Sequence, residues 1–194
     1  MIFNNRENKC FKVIDNGKER LVWESRSVAV NGTIIVSIKF SGPYVLVSRR
    51  GKKAADYHGL MNVVAGYLDW DETGKEAFFR ETWEECGLDL EKLIEENKVL
   101  ITESHIEQPW HVETNPSASR QNVSLRYGVH INIDDDKLPE LSLENNEVED
   151  EVESCWWMPI DEIDKHEWAF KHDDVIKSFL FHIGIGSHKY IFRR

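Results

Sequence analysis

Cysteine is scarce in this chain: three in 194 residues, at Cys10, Cys86 and Cys155. Their number is odd and no two share a CxxC spacing, so neither a disulfide framework nor a zinc site follows. A reducing cytoplasm is the expected compartment. Positive charge is in deficit as well, with 24 Lys and Arg against 35 Asp and Glu and a formal net charge of −11. No basic excess is available to displace phosphate counterions, so the chain is not expected to bind nucleic acid. No apolar run reaches the ~18 residues of a membrane span, and no membrane partner is expected. The start, MIFNNRENKCFKV, lacks the charged-then-apolar layout of a signal peptide. Repeats, low-complexity tracts and Pro/Ser-rich linkers are missing too. One globular unit is therefore expected, with residues 1–27 as an N-terminal extension carrying strands and residues 28–194 as the main domain.

What is present is an ordinary globular composition, 41% hydrophobic and 30% charged. RLVWESRSVAV and TIIVSIKF are rich in β-branched and aromatic residues and read as strands. Gly42-Pro43 reads as a turn before the strand YVLVS, which runs into the basic cluster Arg49, Arg50, Lys52 and Lys53. MNVVAGYLD reads as a strand ending near Gly66, and VSLRYGVHINI as another. Residues 89–98 read as a turn or short helix. SCWWMPI reads as a short strand closed by Pro159, and DEIDKHEW and HDDVIKSFLFHI as two helices. Strands dominate early and helices return late, an α+β pattern rather than βαβ alternation.

ETGKEAFFRETWEEC reads as a helix over residues 73–86. Thr73 and Glu76 have capping-box spacing, and Gly87 suits the left-handed residue that ends a helix. At about 100° per residue, Glu81, Glu84 and Glu85 fall within one arc. Phe79, Thr82, Trp83 and Cys86 are expected on the core side. The carboxylates repel one another by a few tenths of a kcal/mol per pair. They also face the negative end of the helix dipole, at ~0.3–1 kcal/mol each. A divalent cation would turn that conflict into a binding site, and an all-oxygen cluster suits Mg²⁺, Mn²⁺ or Ca²⁺ rather than zinc or copper. The alternative is a plain solvated acidic face.

The wider spacing resembles the Nudix box: Gly66, five residues, Glu72, seven residues, Arg80-Glu81, two residues, Glu84-Glu85, one residue, Gly87, then Leu88. All seven fixed positions match, with a chance probability on the order of 10⁻⁸ to 10⁻⁹ per starting point. Thr82 departs from the pattern, since the family usually has an aliphatic residue there. The resemblance implies a mixed β-sheet between helices and hydrolysis of nucleoside diphosphates linked to another group, X. It further implies that Glu81, Glu84 and Glu85 bind Mg²⁺ or Mn²⁺, that Arg80 orients them in partnership with Glu72, and that Gly66 lets the loop approach the phosphates. The catalytic base is a box glutamate or one on the loop before WWMP. Glu151 matches that place best, with Glu147, Glu149 and Glu153 as competitors.

Arg49 and Arg50 are candidates for the substrate phosphates, exposed turn charges being the alternative. Trp110, in the QPWH stretch, is a candidate to flank a base. That stretch resembles in part the Gln-Pro-Trp of the NADH-cleaving subgroup, but Glu107 replaces its serine and the following Pro-Phe-Pro is missing. The proline and tyrosine markers of the ADP-ribose and dinucleoside-polyphosphate subgroups are not at their usual distance either. The histidines show no ligand spacing, and Asp134–Leu138 lacks the glycine and final glutamate of an EF-hand. Tyr127 and Arg126 must point to opposite sides of one strand. A non-catalytic nucleotide sensor on the same fold is the rival reading, and isomerisation of an isoprenoid diphosphate a remoter one, for which Cys155 is a poor candidate. The expected partner is a small-molecule nucleotide. Unpaired N-terminal strand edges could also join two chains as a homodimer.

Overall fold

The computed structural model describes residues 8–99, 106–116, 121–146 and 150–185. An N-terminal hairpin comes first, β1 (Lys9–Asp15) and β2 (Lys18–Glu24). Asn16 and Gly17 turn it with φ of 49° and 75°, the two positive values that a tight hairpin turn requires. It forms a separate two-stranded sheet. RLVWESRSVAV is thus not one strand. Its first half is β2, and after residues 25–27 its second half opens β3 (Val28–Ile38), which also contains most of TIIVSIKF.

The main sheet follows: β4 (Ser41–Arg50), β5 (Met61–Asn62), β6 (Val64–Tyr67), β7 (Lys98–Val99), β8 (His111–Glu113), β9 (Val123–Ile133) and β10 (Val152–Pro159). Its order is β10-β4-β3-β9-β7, with β5 on β4, β6 on β3 and β8 on β9. β3 and β9 run parallel over eleven paired residues, and the other pairs are antiparallel. Pairing of Ile38 with Ser41 leaves Lys39 and Phe40 as the turn, so Gly42-Pro43, a cis peptide, lies inside β4 rather than at the reversal.

Among the described residues three α-helices complete the fold: α1 (Gly74–Cys86), α2 (Leu90–Glu96) and α3 (His172–His182). DEIDKHEW forms only a 3₁₀ segment, Ile160–Lys165. The alternation of side chains across the strands makes two cores. On the α1 face, Ile34, Leu46, Val64 and Val129 pack with Phe78; on the α3 face, Ile35, Val47 and Val63 pack with Phe179. Central strands bring the helices close, since a Cβ on Gly32 would lie 2.0 Å from Phe78 and one on Gly128 2.4 Å from Phe179. The adjacent tryptophans serve both cores. Trp157 is buried on the α1 side, its Nε1–H donating to Pro139 O at 2.9 Å, while Trp156 packs half-buried on the α3 side.

His172 opens α3 and is buried. Its Nδ1 accepts the Val63 N–H at 3.3 Å, and its Nε2 lies 3.4 Å from Asn31 Nδ2. Burial, with Arg126 and Arg50 nearby, pushes its pKa down from 6.5 to about 3. The folded state therefore refuses a proton that the unfolded chain accepts. The stability this neutral ring contributes is complete above pH 6.5 and is lost progressively as pH falls toward 3. The loss amounts to several kcal/mol, because each tenfold difference in proton affinity between the two states is worth ~1.4 kcal/mol. Unfolding midpoints of the parent are expected to fall steeply between pH 6.5 and 4, and those of His172→Gln to fall less. Identical profiles would remove His172 from the account.

Candidate active site

The box helix is set by local rules. Thr73 accepts the Glu76 N–H at 3.2 Å and the Glu76 carboxylate accepts the Thr73 N–H at 2.7 Å, closing the capping box. Gly87 ends the helix at φ 62°, with its N–H on Trp83 O. The core face is Ala77, Phe78, Thr82 and Cys86. Two residues expected there sit otherwise: Phe79 is only half-buried, and Trp83 is 47% exposed. Each follows a core residue by one position, and the ~100° step carries it toward the flank. Thr82 in an aliphatic position costs little, since its Oγ–H donates to Phe78 O at 2.7 Å.

The carboxylates are not a solvated face. Glu81 and Glu84 are 12% and 21% exposed at the side chain. Glu85 reaches into the sheet, where its oxygens accept from Ala65 N–H and Ser48 Oγ–H at 3.4 Å each. The single Ser48 hydroxyl proton is shared, with Asn62 Oδ1 the nearer acceptor at 2.9 Å. Burial, the neighbouring Glu81 charge and Glu151 raise the Glu85 pKa well above the ordinary carboxylate range. Burial raises Glu81 to about 7; Arg80 opposes this and Glu84 and Glu151 add to it.

Arg80 organises the opposite side of the cluster. Its Nε and Nη2 fork onto both Glu72 oxygens at 3.0 and 2.8 Å, and Nη2 also donates to Tyr67 O at 3.1 Å. Nη1 serves Glu81 Oε1 at 2.8 Å and Glu84 Oε2 at 3.0 Å. The fork pulls the Glu72 pKa down, chiefly through the hydrogen bond itself. Gly66 lies against Glu81: a Cβ there would sit 1.8 Å from Glu81 Oε1, so any other residue would displace the carboxylate.

The remaining candidates divide. Glu151 is exposed, but its charge acts on both Glu81 and Glu85. Glu147 and Glu149 lie outside the described residues. Glu153, on β10, lines an open cleft of about 630 Å³ beside Glu151, with Gly51, Lys52, Leu143, Glu144, Asn146, Asp150 and Val152. Arg50 is near enough to act on Glu85; its guanidinium donates to Asp56 O at 2.9 Å and lies 5.1 Å from the Phe170 ring centroid. Arg49 points to the opposite face, 5.9 Å from the Trp156 ring. Trp110 is on that face too, packed on Phe179 and His182 of α3 at 5.6 and 5.5 Å. Tyr127 faces α1, stacked on Phe78 at 5.8 Å, and Arg126 faces α3, 3.5 Å from Glu113. The structure thus brings Glu72, Arg80, Glu81, Glu84, Glu85, Gly66, Arg50 and Glu151 into one region and leaves Arg49 and Trp110 outside it. Ser48, Asn62 and the Ala65 N–H were not anticipated. Period-two alternation in YVLVS places Ser48 on the face of Leu46, but nothing local ties that face to Glu85.

Among the described residues, no three His, Cys, Asp or Glu side chains already converge as a ligand set. The donors nevertheless fit a hard divalent ion. They are all oxygens, two are buried with raised proton affinity, and such carboxylates exchange a proton for a cation readily.

An α+β fold that presses a carboxylate helix against a mixed sheet defines the class. The NUDIX domain family model matches residues 29–179, and the chain belongs to the Nudix family. Solved structures with this fold include the NUDIX domain of Shewanella oneidensis NrtR complexed with ADP ribose. It is 15% identical at a TM-score of 0.60, over 82% of this chain and 90% of that one. A bifunctional NMN adenylyltransferase/ADP ribose pyrophosphatase from Francisella tularensis, complexed with AMP and a Mn ion, is 22% identical at 0.59, over 82% of this chain and 42% of that one. A C. elegans Ap4A hydrolase is 13% identical at 0.56, over 81% and 97%. No curated protein matches the chain.

Proposed function

We propose that the protein is a divalent-metal-dependent hydrolase that cleaves the pyrophosphate linkage of a nucleoside diphosphate joined to a second group. The observation that carries this reading is Glu85. A carboxylate held in the sheet against Ala65 N–H and Ser48 raises the free energy of the folded chain unless something positive offsets it. Glu81, Glu84 and Glu85 would hold Mg²⁺ or Mn²⁺, with Glu151 as an additional ligand or as the base that takes a proton from water. The metal would stabilise charge on the phosphate oxygens and lower the pKa of the attacking water. Arg80 holds Glu81 and Glu84 in place, Gly66 leaves room beside them, and Arg50, whose charge acts on Glu85, would meet the phosphates. Arg49 and Trp110 could meet only a part of the substrate that reaches the other face of the sheet.

The sensor reading has one observation in its favour, the likeness to an NrtR domain that was solved with ADP ribose. Against it stands the intact carboxylate set. Incubation with Mg²⁺ and a panel of nucleoside triphosphates, ADP-ribose, NADH, diadenosine polyphosphates and nucleotide sugars, read by chromatography, separates the two. Metal-dependent cleavage of any of them is the expected result. Tight binding of one compound without cleavage would favour the sensor.

A further inference from the structure

Two of the three cysteines meet, and they join the elements that flank the carboxylate cluster. Cys86 ends α1 and is buried, whereas Cys155, on β10, is partly exposed. Strand register brings them together. β10 lies antiparallel on β4, with Trp157 opposite Leu46 and Cys155 opposite Ser48, and Leu46 and Trp157 belong to the α1-side core. Alternation turns Cys155 to that side as well, where it packs against the cluster that contains Cys86. Ser48, its neighbour on β4, is the residue that reaches Glu85, one position before Cys86. The Cys86 thiol donates a hydrogen bond to the Cys155 sulfur, and Ser142 N–H holds the helix end through Cys86 O at 2.9 Å. The hydrolysis proposed above uses neither thiol.

We propose that Cys86 and Cys155 form a peroxide-sensitive dithiol, whose disulfide ties the end of α1 to β10 and disables the carboxylate cluster. Cys155 is the sulfur that hydrogen peroxide reaches first, since Cys86 is fully covered. The hydrogen bond from Cys86 favours the Cys155 thiolate, against the effect of burial. The thiolate attacks one peroxide oxygen. An S–O bond forms as the O–O bond breaks, and the hydroxide that leaves takes up the proton Cys155 released, giving water. Cys86 then attacks the sulfenic sulfur: the S–S bond forms, the S–O bond breaks, and a second water leaves with the Cys86 proton. Two thiols are oxidised and one peroxide is reduced to two waters. A disulfide holds its sulfurs ~2.05 Å apart, closer than two thiols in contact. Bond formation therefore draws the last turn of α1 toward β10, and Glu84 and Glu85 lie in that turn. The consequence for activity rests on the hydrolase reading; formation of the disulfide does not.

The test uses the full chain carrying Cys10→Ser, which removes the exposed competitor. It is treated with hydrogen peroxide, alkylated under denaturing conditions, digested and analysed by mass spectrometry. The expected product joins the Cys86 and Cys155 fragments, two hydrogens lighter than the reduced pair and separated again by dithiothreitol. Cys86→Ser should instead accumulate a Cys155 sulfenic acid that dimedone captures, and Cys155→Ser should keep Cys86 reduced. Oxidation should lower Mg²⁺-dependent hydrolysis about 10–100-fold, the scale of displacing a catalytic group by ~1 Å, and Cys155→Ser should be immune to it. The rise in unfolding midpoint caused by Mg²⁺ should also shrink on oxidation, a reading of the cluster that needs no substrate. Thiols that both stay free, or a Cys155 sulfinic acid formed without the cross-link, would overturn the proposal. So would a cross-linked protein that responds to Mg²⁺ as the reduced one does. If the reduced protein hydrolyses nothing, the hydrolase reading fails, while the cross-link and the Mg²⁺ response still decide this one.

Discussion

Replacement of Glu85 by Gln is expected to reduce pyrophosphate hydrolysis by about 10²–10³-fold, the scale of removing one electrostatic group from a catalytic centre. The same change should leave the metal-free protein at least as stable as the parent. Gln keeps the shape and a carbonyl oxygen for the Ala65 N–H, and its amide N–H₂ takes the place of the other oxygen and can donate to Ser48 Oγ, while the cost of burying a charge disappears. The sign with pH follows from the raised pKa. A carboxyl that holds its proton more tightly when folded stabilises the fold fully below the ordinary value of 4.5. That contribution is lost as pH rises through the folded value. Glu81, at about 7, behaves likewise, so metal-free parent protein should lose stability between pH 6.5 and 8, where His172 is neutral in both states and does not oppose the trend, and Mg²⁺ should restore more of it at pH 8 than at pH 5. Thermal unfolding of parent and variant at both pH values, with Mg²⁺ and with chelator, reads all of this. A variant that retains hydrolysis, or that unfolds earlier than the parent without metal at pH 8, would show that Glu85 is structural.

Much of the site was legible because it obeys local rules. Thr73, Glu76 and Gly87 bound the helix by hydrogen bonds that reach only three or four residues, so their spacing suffices. The carboxylate crowding of Glu81, Glu84 and Glu85 was visible as a conflict with helix electrostatics. What sequence could not supply were contacts made across the sheet. That Ser48 and the Ala65 N–H receive Glu85 depends on β4 and β6 both lying beside β3, and that Arg49 and Trp110 turn to the α3 face depends on register. Phe78 rather than Phe79 or Trp83 fills the core because Gly32, forty-six positions earlier, leaves room for its ring. The hairpin was only half legible: strands were expected in the N-terminal extension, but Ser25-Arg26-Ser27 carries no glycine or proline to mark the break between β2 and β3.

Arg80→Ala should be the most destabilising single change at the site, at about 3–5 kcal/mol, the cost of leaving poorly solvated charges without their partner. One guanidinium makes hydrogen bonds to Glu72, Glu81, Glu84 and Tyr67 O, and Glu72 and Glu81 are only 13% and 12% exposed at the side chain. Truncation therefore leaves three carboxylates facing one another. Arg80→Lys keeps the charge but not the fork, because an ammonium is a point donor that cannot hold both Glu72 oxygens while also serving Glu81 and Glu84. It should retain part of the stability and little of the alignment, with hydrolysis falling further than the unfolding free energy. The loss in Arg80→Ala should be larger at pH 8 than at pH 5, because at pH 5 Glu81, already pushed toward its neutral form, takes a proton instead of a partner. Mg²⁺ should recover some of the deficit at pH 8 by supplying the missing positive charge. Urea unfolding of the two variants and the parent, at both pH values and with or without Mg²⁺, gives the four comparisons. If Arg80→Ala matched the parent at pH 8, the network around Arg80 would be surface decoration, and the alignment of Glu81 and Glu84 would have to come from the metal alone.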